Sequence, residues 1–342
     1  MSNTTTIAGN LTGIIAENIA KAQKEEIFFQ EIYANPDLQP GKNEFLFFIK
    51  PEITVPSDTI KLRPVLELVQ DKINKFGLKI HNIKVLSAKY LDKYNVIAQH
   101  YGVINKIASN AVKNMSETAK DKFKEIYGIP VTEAKVLGGI EFLQQYPSFN
   151  ALSLDFLCQN KKSAKLAGGT YVIDVKLDTE TVYIINGFHA RQLLQFTDKG
   201  RSIVVMTLSG DLSWSDARTN FIGATFPDNA ADGSIRKELL RHKEEFGIPE
   251  ISQGLNGVHL SAGPVEGLIE LRRYNSDFSD NSKIKEYAGF SFGKKLIAAF
   301  GGKSETIVTN PDVNNNGKMV SVFDITEEKD SDEAIEILRK YF

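Results

Sequence analysis

The apolar residues of this chain repeat with two different periods, and this difference predicts helices in some stretches and strands in others. Helical spacing over residues 11–33 predicts an amphipathic helix that ends at Asn35-Pro36. The run EFLFFIK over 44–50 is too short and too aromatic for a helix, so it predicts a buried strand closed by Pro51. The same patterns predict helices at 60–76, 89–107 and 189–196, and strands at 78–87 and 202–208.

The middle and the end of the chain have a different character from these segments. Residues 108–169 are polar and mostly helical in pattern, and the residues around 177–180 are typical of a hairpin turn. After Leu271 the chain becomes rich in Asp, Ser and Asn, like a linker. We therefore predict an N-terminal helical extension over 1–42, a core over 43–107 and 181–273, an insertion of helices and then a hairpin over 108–180, and a C-terminal extension over 274–342.

Composition indicates a globular protein and excludes some partners. The 342 residues are 42% hydrophobic and 25% charged, which is the ordinary range for a folded domain. The net charge of −2 gives no strong overall attraction to nucleic acid or to an anionic membrane. The single cysteine, Cys158, fits a reducing compartment. With no signal-peptide pattern and no apolar run of about 20 residues, we expect a cytoplasmic protein that binds neither membrane nor nucleic acid.

Two motifs that suggest ligand sites fail on their spacing. Gly302-Lys303-Ser304 suggests a phosphate-binding loop, but Ile297 stands where that loop needs a glycine. Residues 312–317 resemble the start of a calcium loop, but Phe323 stands at the twelfth position, where a bidentate carboxylate is required. The sequence therefore predicts no metal site built from protein ligands.

Three short motifs between residues 218 and 259 carry the chemistry. They are Gly223-Ala224-Thr225-Phe226-Pro227, Gly233-Ser234-Ile235-Arg236 and Asn256-Gly257-Val258-His259. In this order they resemble the G-x-T-x-P, G-T/S-I-R and N-x-x-H segments of the nucleoside diphosphate kinase family. Further upstream, Phe47-Phe48-Ile49-Lys50-Pro51, His100-Tyr101 and the segment from Asn186-Gly187-Phe188 to Gly210 resemble the first strand, a helix and the base-binding segment of that family.

The resemblance implies a fold and a reaction. The fold would be an α+β protein: a ferredoxin-like α/β sandwich with a four-stranded antiparallel sheet, enlarged by the insertion and the extensions. The reaction would move the terminal phosphate of ATP to a nucleoside diphosphate through a phosphohistidine on His259. Neutral imidazole is a competent nucleophile near pH 7, and phosphoryl transfer depends mainly on positioning and charge neutralisation.

The resemblance also implies roles for individual residues. Glu270, eleven residues beyond His259, would hold the imidazole in one tautomer. The implied nucleotide-binding residues are Lys50, Tyr101, Phe188, Arg218, Thr225, Arg236 and Asn256. Cationic and hydroxyl groups suit phosphates, and an aromatic ring can stack on any base. Mg²⁺ would arrive with the nucleotide phosphates.

The chain also departs from the family pattern. Leu260-Ser261-Ala262-Gly263 replaces the usual G-S-D-S, and Arg218 lies one residue farther from Thr225 than in the short enzymes. Two alternatives to the kinase therefore stay open. One is a nucleotide-binding regulatory protein without turnover, and the other is a phosphotransferase that passes the phosphate to a different acceptor. Homo-oligomerisation is also left open.

Overall fold

A computed structural model describes residues 11–177 and 179–342. The chain divides into two compact units. The first runs up to Tyr94 and resumes at Lys199, and the second is Asn95–Asp198. The protein is of the α+β class, with many helices and with both antiparallel and mixed sheets. Residues 1–10 of the predicted N-terminal extension, and Asp178 in the predicted hairpin turn, lie outside the described residues. The sequence-based division into core, insertion and extensions stays a prediction.

The strands and helices of the described residues are short and numerous. The strands are β1 (Phe29–Ala34), β2 (Asn43–Ile49), β3 (Lys79–Ser87), β4 (Lys135–Gly138), β5 (Ala164–Ala167), β6 (Thr170–Leu177), β7 (Glu180–Ile185), β8 (Ser202–Gly210), β9 (Val258–Leu260), β10 (Asp312–Asn315) and β11 (Lys318–Ser321). The α-helices are Leu11–Lys24, Pro51–Thr54, Leu62–Lys75, Ala88–Lys93, Val96–His100, Gly102–Ser109, Ala111–Asn114, Glu117–Tyr127, Gly139–Gln145, Ala151–Gln159, His189–Thr197, Trp214–Asp216, Ile235–Arg241, Pro264–Asn275, Ser291–Phe300, Ser304–Ile307, Val322–Thr326 and Ser331–Leu338. A π-helix, Ala217–Ile222, follows Trp214–Asp216 directly.

An antiparallel sheet forms the centre of the first unit. Within the described residues it has five strands in the order β1-β3-β8-β2-β9. Every residue of β8 is buried, as expected for a strand covered on both faces. In β2, Phe45 and Phe47 belong to the core that includes the helices Leu11–Lys24 and Leu62–Lys75. Because side chains alternate along a strand, Phe48 points to the other face, where it meets Tyr274 of the helix Pro264–Asn275.

The second unit has its own sheet and two apolar clusters. Its four described strands have the order β4-β7-β6-β5, with β4 parallel to β7 and the other pairs antiparallel. One cluster includes Phe123 and Val172, and the other includes Phe142 and Ile184. The predicted hairpin is formed by β6 and β7, in which Leu177 pairs with Glu180.

Several predicted elements are corrected by the structure. The predicted helix over 11–33 ends at Lys24, and Phe29–Ala34 is a strand instead. This edge strand gives the antiparallel sheet of the first unit five strands where four were predicted. Helical spacing predicted the wrong element here, because pairing with β3 determines the strand and β3 is distant in the sequence. The mostly helical stretch 108–169 also contains β4 and β5, strands of only four residues each.

The predicted helix over 89–107 is also interrupted. Asn95 has a φ of 53°, in the left-handed region, and shorter helices flank it. The stretch that imitates a calcium loop forms the β10–β11 hairpin. Among the helices of the described residues, none has both the length and the apolar character that crossing a membrane requires.

Candidate active site

His259 lies at the middle of β9, one of the two edge strands of the five-stranded sheet described in the first unit. Val258 and Leu260 on either side of it are buried, which fixes the strand and directs the imidazole to the opposite face. His259 pairs with Phe48 of β2, and the two rings stack with their centroids 4.5 Å apart and at an angle of 20°. The His259 side chain is 19% exposed. The imidazole therefore rests against an apolar ring while part of it faces solvent.

Glu270 holds the imidazole through one nitrogen. It lies on the helix Pro264–Asn275, its side chain is 3% exposed, and its Oε2 is 3.0 Å from His259 Nε2. A carboxylate accepts hydrogen bonds, so this contact favours the tautomer with the proton on Nε2. The nucleophilic lone pair of the neutral ring then belongs to Nδ1.

Lys50 and Asn256 form a buried polar pair near the strand ends. Lys50 follows the last residue of β2, and its Nζ donates to Asn256 Oδ1 at 2.7 Å. Asn256 Nδ2 donates in turn to the backbone carbonyls of Thr225 and Gln253, at 3.1 Å each. Asn256 therefore joins the loop of the first motif to the lysine at the end of β2.

The pKa of Lys50 is lowered to about 8. Burial is the main cause, because it penalises the charged ammonium, and the nearby charge of Arg236 acts in the same direction. Glu52 opposes both effects. The Glu52 carboxylate also accepts a hydrogen bond of 2.9 Å from Gly257 N, two residues before His259.

Two arginines bind the outer edge of β9. Arg236 donates from Nη2 to Val258 O at 3.0 Å and from Nη1 to Gly223 O at 2.8 Å. Arg218 donates from Nη1 to Leu260 O at 3.0 Å. These carbonyls flank His259 and point away from β2, so the arginines occupy hydrogen-bonding positions that an edge strand otherwise leaves to solvent. Two guanidinium groups therefore lie beside the strand that carries His259.

The placement of Arg218 depends on the π-helix Ala217–Ile222. A π-helix contains more residues per turn than an α-helix and occurs mostly as a single turn. Arg218 is its second residue, and the π-helix ends three residues before Thr225. Thr225 itself is exposed, and its described hydrogen bond is the one that its backbone carbonyl accepts.

Two of the residues implied by the resemblance belong to the second unit. Tyr101 caps the start of the helix Gly102–Ser109 and contacts His189 and Phe196 edge-on, with ring centroids 6.1 and 6.0 Å apart. Phe188 is half-buried just before the helix His189–Thr197, with its ring 6.2 Å from that of Tyr171. Their assignment to a nucleotide site stays a prediction.

Sequence reasoning missed three residues around His259. Phe48 was assigned only to a strand, although it supports the imidazole, and Glu52 was not singled out. Glu266 also escaped notice, although its four-residue spacing from Glu270 on a helix places both on one face. This four-residue spacing was the sequence signal that could have identified Glu266.

Comparison with known proteins adds little to this geometry. Neither the family models nor the curated proteins give a match to this chain. Among solved structures, one similar chain is described as "Crystal Structure Analysis of an NDP kinase from Pyrobaculum aerophilum". It is 17% identical, the match covers 71% of this chain and 98% of that one, and the TM-score is 0.32. The resemblance is distant.

Proposed function

We propose that this protein is a nucleoside diphosphate kinase, which moves the terminal phosphate of ATP to a nucleoside diphosphate through a phosphohistidine on His259. The observation that carries the proposal is the 3.0 Å contact between His259 Nε2 and the buried carboxylate of Glu270. A histidine held in this way has a defined tautomer and a partner for the positive charge that it gains on reaction.

The proposed chemistry has two half-reactions. Nδ1 of His259 attacks the terminal phosphorus of ATP, a nitrogen–phosphorus bond forms, and the bond from phosphorus to the bridging oxygen breaks, releasing ADP. The carboxylate of Glu270 stabilises the charged ring while the phosphate resides on it. A terminal oxygen of a second diphosphate then attacks the same phosphorus, which restores neutral His259 and gives a new triphosphate.

The cations of the first unit would stabilise the transferred group. Lys50, Arg218 and Arg236 carry donors suited to phosphate oxygens, and phosphoryl transfer is accelerated mainly by such charge neutralisation. These cations are unsuited to holding a metal ion, so Mg²⁺ would be bound by the phosphates of the nucleotide. When bound, it would neutralise part of their charge.

The arrangement of strands supports the same proposal. Strands β2, β3, β8 and β9 have the spatial order β3-β8-β2-β9 with every neighbouring pair antiparallel. The helix Leu62–Lys75 lies between β2 and β3 in the chain, and the helix Ile235–Arg241 lies between β8 and β9. This is the β-α-β-β-α-β order of a ferredoxin-like sandwich, to which β1 adds an edge strand.

Transfer of labelled phosphate tests the proposal. Wild type, His259→Ala and the exposed-histidine control His242→Ala are incubated with γ-labelled ATP, Mg²⁺ and either GDP or UDP. We expect label to reach both diphosphates with wild type and His242→Ala, and to be lost with His259→Ala. Nucleotide binding without labelling would favour the regulatory alternative. Label that stays on the protein in the presence of both diphosphates would favour a different acceptor.

A further inference from the structure

The segment Thr326–Ser331 of the C-terminal extension contacts three parts of the first unit that carry or adjoin candidate site residues. We call this segment the C-terminal clasp. It begins at the last residue of the helix Val322–Thr326 and ends at the first residue of the helix Ser331–Leu338. Its contacts reach the loop after His259, the helical segment that carries Arg218, and the start of the strand that ends before Lys50.

The first contact is with the loop that follows His259. Glu328 N donates to Ala262 O at 2.9 Å. Gly263 lies so close to the clasp that a Cβ atom built on it would be 2.5 Å from Thr326 O and 3.1 Å from Glu327 Cα. Only glycine allows this approach between two backbones, so the position of the loop depends on the clasp.

The second contact is with the segment that carries Arg218. Asp330 Oδ1 accepts a hydrogen bond of 3.0 Å from Trp214 N, at the start of the helical turn that continues into the π-helix. Glu328 Oε1 lies 3.9 Å from Arg218 Nε. Trp214 is fully buried and packs against Phe45 with ring centroids 4.5 Å apart, so the anchoring point lies in the core of the first unit.

The third contact is with the first residue of β2. Asn43 is buried; its Nδ2 donates to Asp330 Oδ1 at 2.8 Å, and its Oδ1 accepts from Ser331 N and Oγ at 2.9 and 3.0 Å. Lys42 also binds the Asp330 carboxylate. Burial raises the pKa of Asp330, but the hydrogen bonds from Lys42, Trp214 N and Asn43 outweigh it, so the pKa is lower than usual.

We propose that the C-terminal clasp positions Arg218 and the loop after His259 for phosphoryl transfer, with Asp330 as the main positioning residue. This inference rests on the proposed function. Asp330 Oδ1 joins two elements that are distant in sequence, since Asn43 begins β2 and Trp214 begins the segment that carries Arg218. A displacement of about 1 Å in a phosphate-binding group can reduce catalysis by up to roughly a hundredfold.

Substitutions at Asp330 separate positioning from simple loss of charge. Asp330→Ala removes both hydrogen bonds to Oδ1, whereas Asp330→Asn retains an oxygen that can accept them. The matched control is Asp332→Ala, because Asp332 binds only the surface residue Lys295 among the described contacts. We expect kcat/KM for phosphate transfer to fall about tenfold in Asp330→Ala. We expect Asp330→Asn to recover most of the loss and Asp332→Ala to stay within twofold of wild type.

Gly263→Ala tests the clasp from the opposite side without changing any charge. We expect kcat/KM to fall as in Asp330→Ala, whereas Gly289→Ala, where an added Cβ meets no atom within 4 Å, serves as the control. Thermal unfolding of each variant shows whether it is folded. Amide hydrogen exchange at 214–222 and 258–263 gives a readout that does not need activity, and we expect it to quicken in Asp330→Ala and Gly263→Ala.

The outcomes distinguish this inference from the proposed function. If wild type transfers phosphate and Asp330→Ala equals it in both kcat/KM and exchange, the clasp has no positioning role. A loss of activity that Asp330→Asn shares fully would also overturn the inference, because it would trace the effect to charge. If wild type transfers no phosphate, the proposed function fails. Amide hydrogen exchange alone then shows whether the C-terminal clasp holds residues 214–222 and 258–263 in place.

Discussion

Glu266 and Glu270 lie one turn apart on the helix that faces His259, and their two environments differ. Burial, reinforced by the negative charge of Glu270, raises the pKa of Glu266 to about 8 from an ordinary value of 4.5. Arg218 opposes this shift, and Glu327 adds to it. Burial and the neighbouring charge of Glu270 therefore favour the protonated form of Glu266 near neutral pH.

This difference predicts how stability depends on pH. Between pH 4.5 and about 8 the folded protein holds a proton on Glu266 that the unfolded chain releases, so this group makes the free energy of unfolding fall as pH rises. Glu266→Gln removes the titration. Its free energy of unfolding should exceed that of wild type by an amount that grows across this window and then levels off.

Urea unfolding at pH 5, 6.5 and 8 measures this difference. Glu17→Gln, at a glutamate whose side chain is 67% exposed, is the control. A constant difference between Glu266→Gln and wild type across the three pH values would show that the pKa of Glu266 is not raised by folding.

Glu270→Gln should slow formation of the phosphohistidine. The amide can no longer balance the charge on the ring, and its NH₂ group can reverse the hydrogen bond and favour the wrong tautomer. We expect the single-turnover rate with ATP and Mg²⁺ to fall by roughly a hundredfold. Glu266→Gln is the matched control on the same helix, and equal losses in the two variants would show that Glu270 has no special role.

Lys50 should give the reaction a dependence on pH near 8. Because its pKa is lowered to about 8, the ammonium loses its proton as pH rises through that value, and attraction for phosphate weakens. We expect kcat/KM for ATP to fall between pH 7 and 9, while the contribution of Lys50 to stability increases from about pH 8 up to 10.5. Lys50→Met should show a lower kcat/KM without this component, and an identical pH profile in both proteins would exclude Lys50 as its origin.

Arg236 should contribute to stability as well as to phosphate binding. Its two terminal nitrogens join the carbonyls of Gly223 and Val258, a geometry that a lysine cannot reproduce. Arg236→Lys should lower the free energy of unfolding by about 2 kcal/mol, since one buried carbonyl loses its donor. Arg241→Lys, an exposed change on the same helix, is the control in chemical denaturation. A loss no greater than that of the control would count against the bridging role.

The sequence predicted the strands that carry the site because their composition leaves little choice. The run from Phe45 to Ile49 is apolar at every position, which is typical of a strand covered on both faces, and all five residues are fully buried. Helical spacing at Ile27, Phe28 and Ile32 did not exclude a strand, and pairing with β3 decided the outcome. Edge strands and the four-residue strands of the second unit depend on partners distant in the chain, which local periodicity cannot reveal.

The candidate site was predictable where the motifs resemble those of the kinase family. That resemblance implied Glu270 as the residue that holds His259, and the structure places their atoms 3.0 Å apart. The π-helix that accommodates Arg218 and the clasp around Asp330 left no such signal. Both arise from backbone geometry and from contacts between elements far apart in sequence.

The proposed phosphohistidine on His259 is tested most directly by locating the phosphate on the protein. Wild type is mixed with ATP and Mg²⁺ and digested under alkaline conditions, and the modified peptide is identified by mass spectrometry and ³¹P NMR. We expect an acid-labile, base-stable phosphate on Nδ1 of His259, because Glu270 holds Nε2. A phosphate on another residue, on Nε2, or on no residue at all would contradict this expectation.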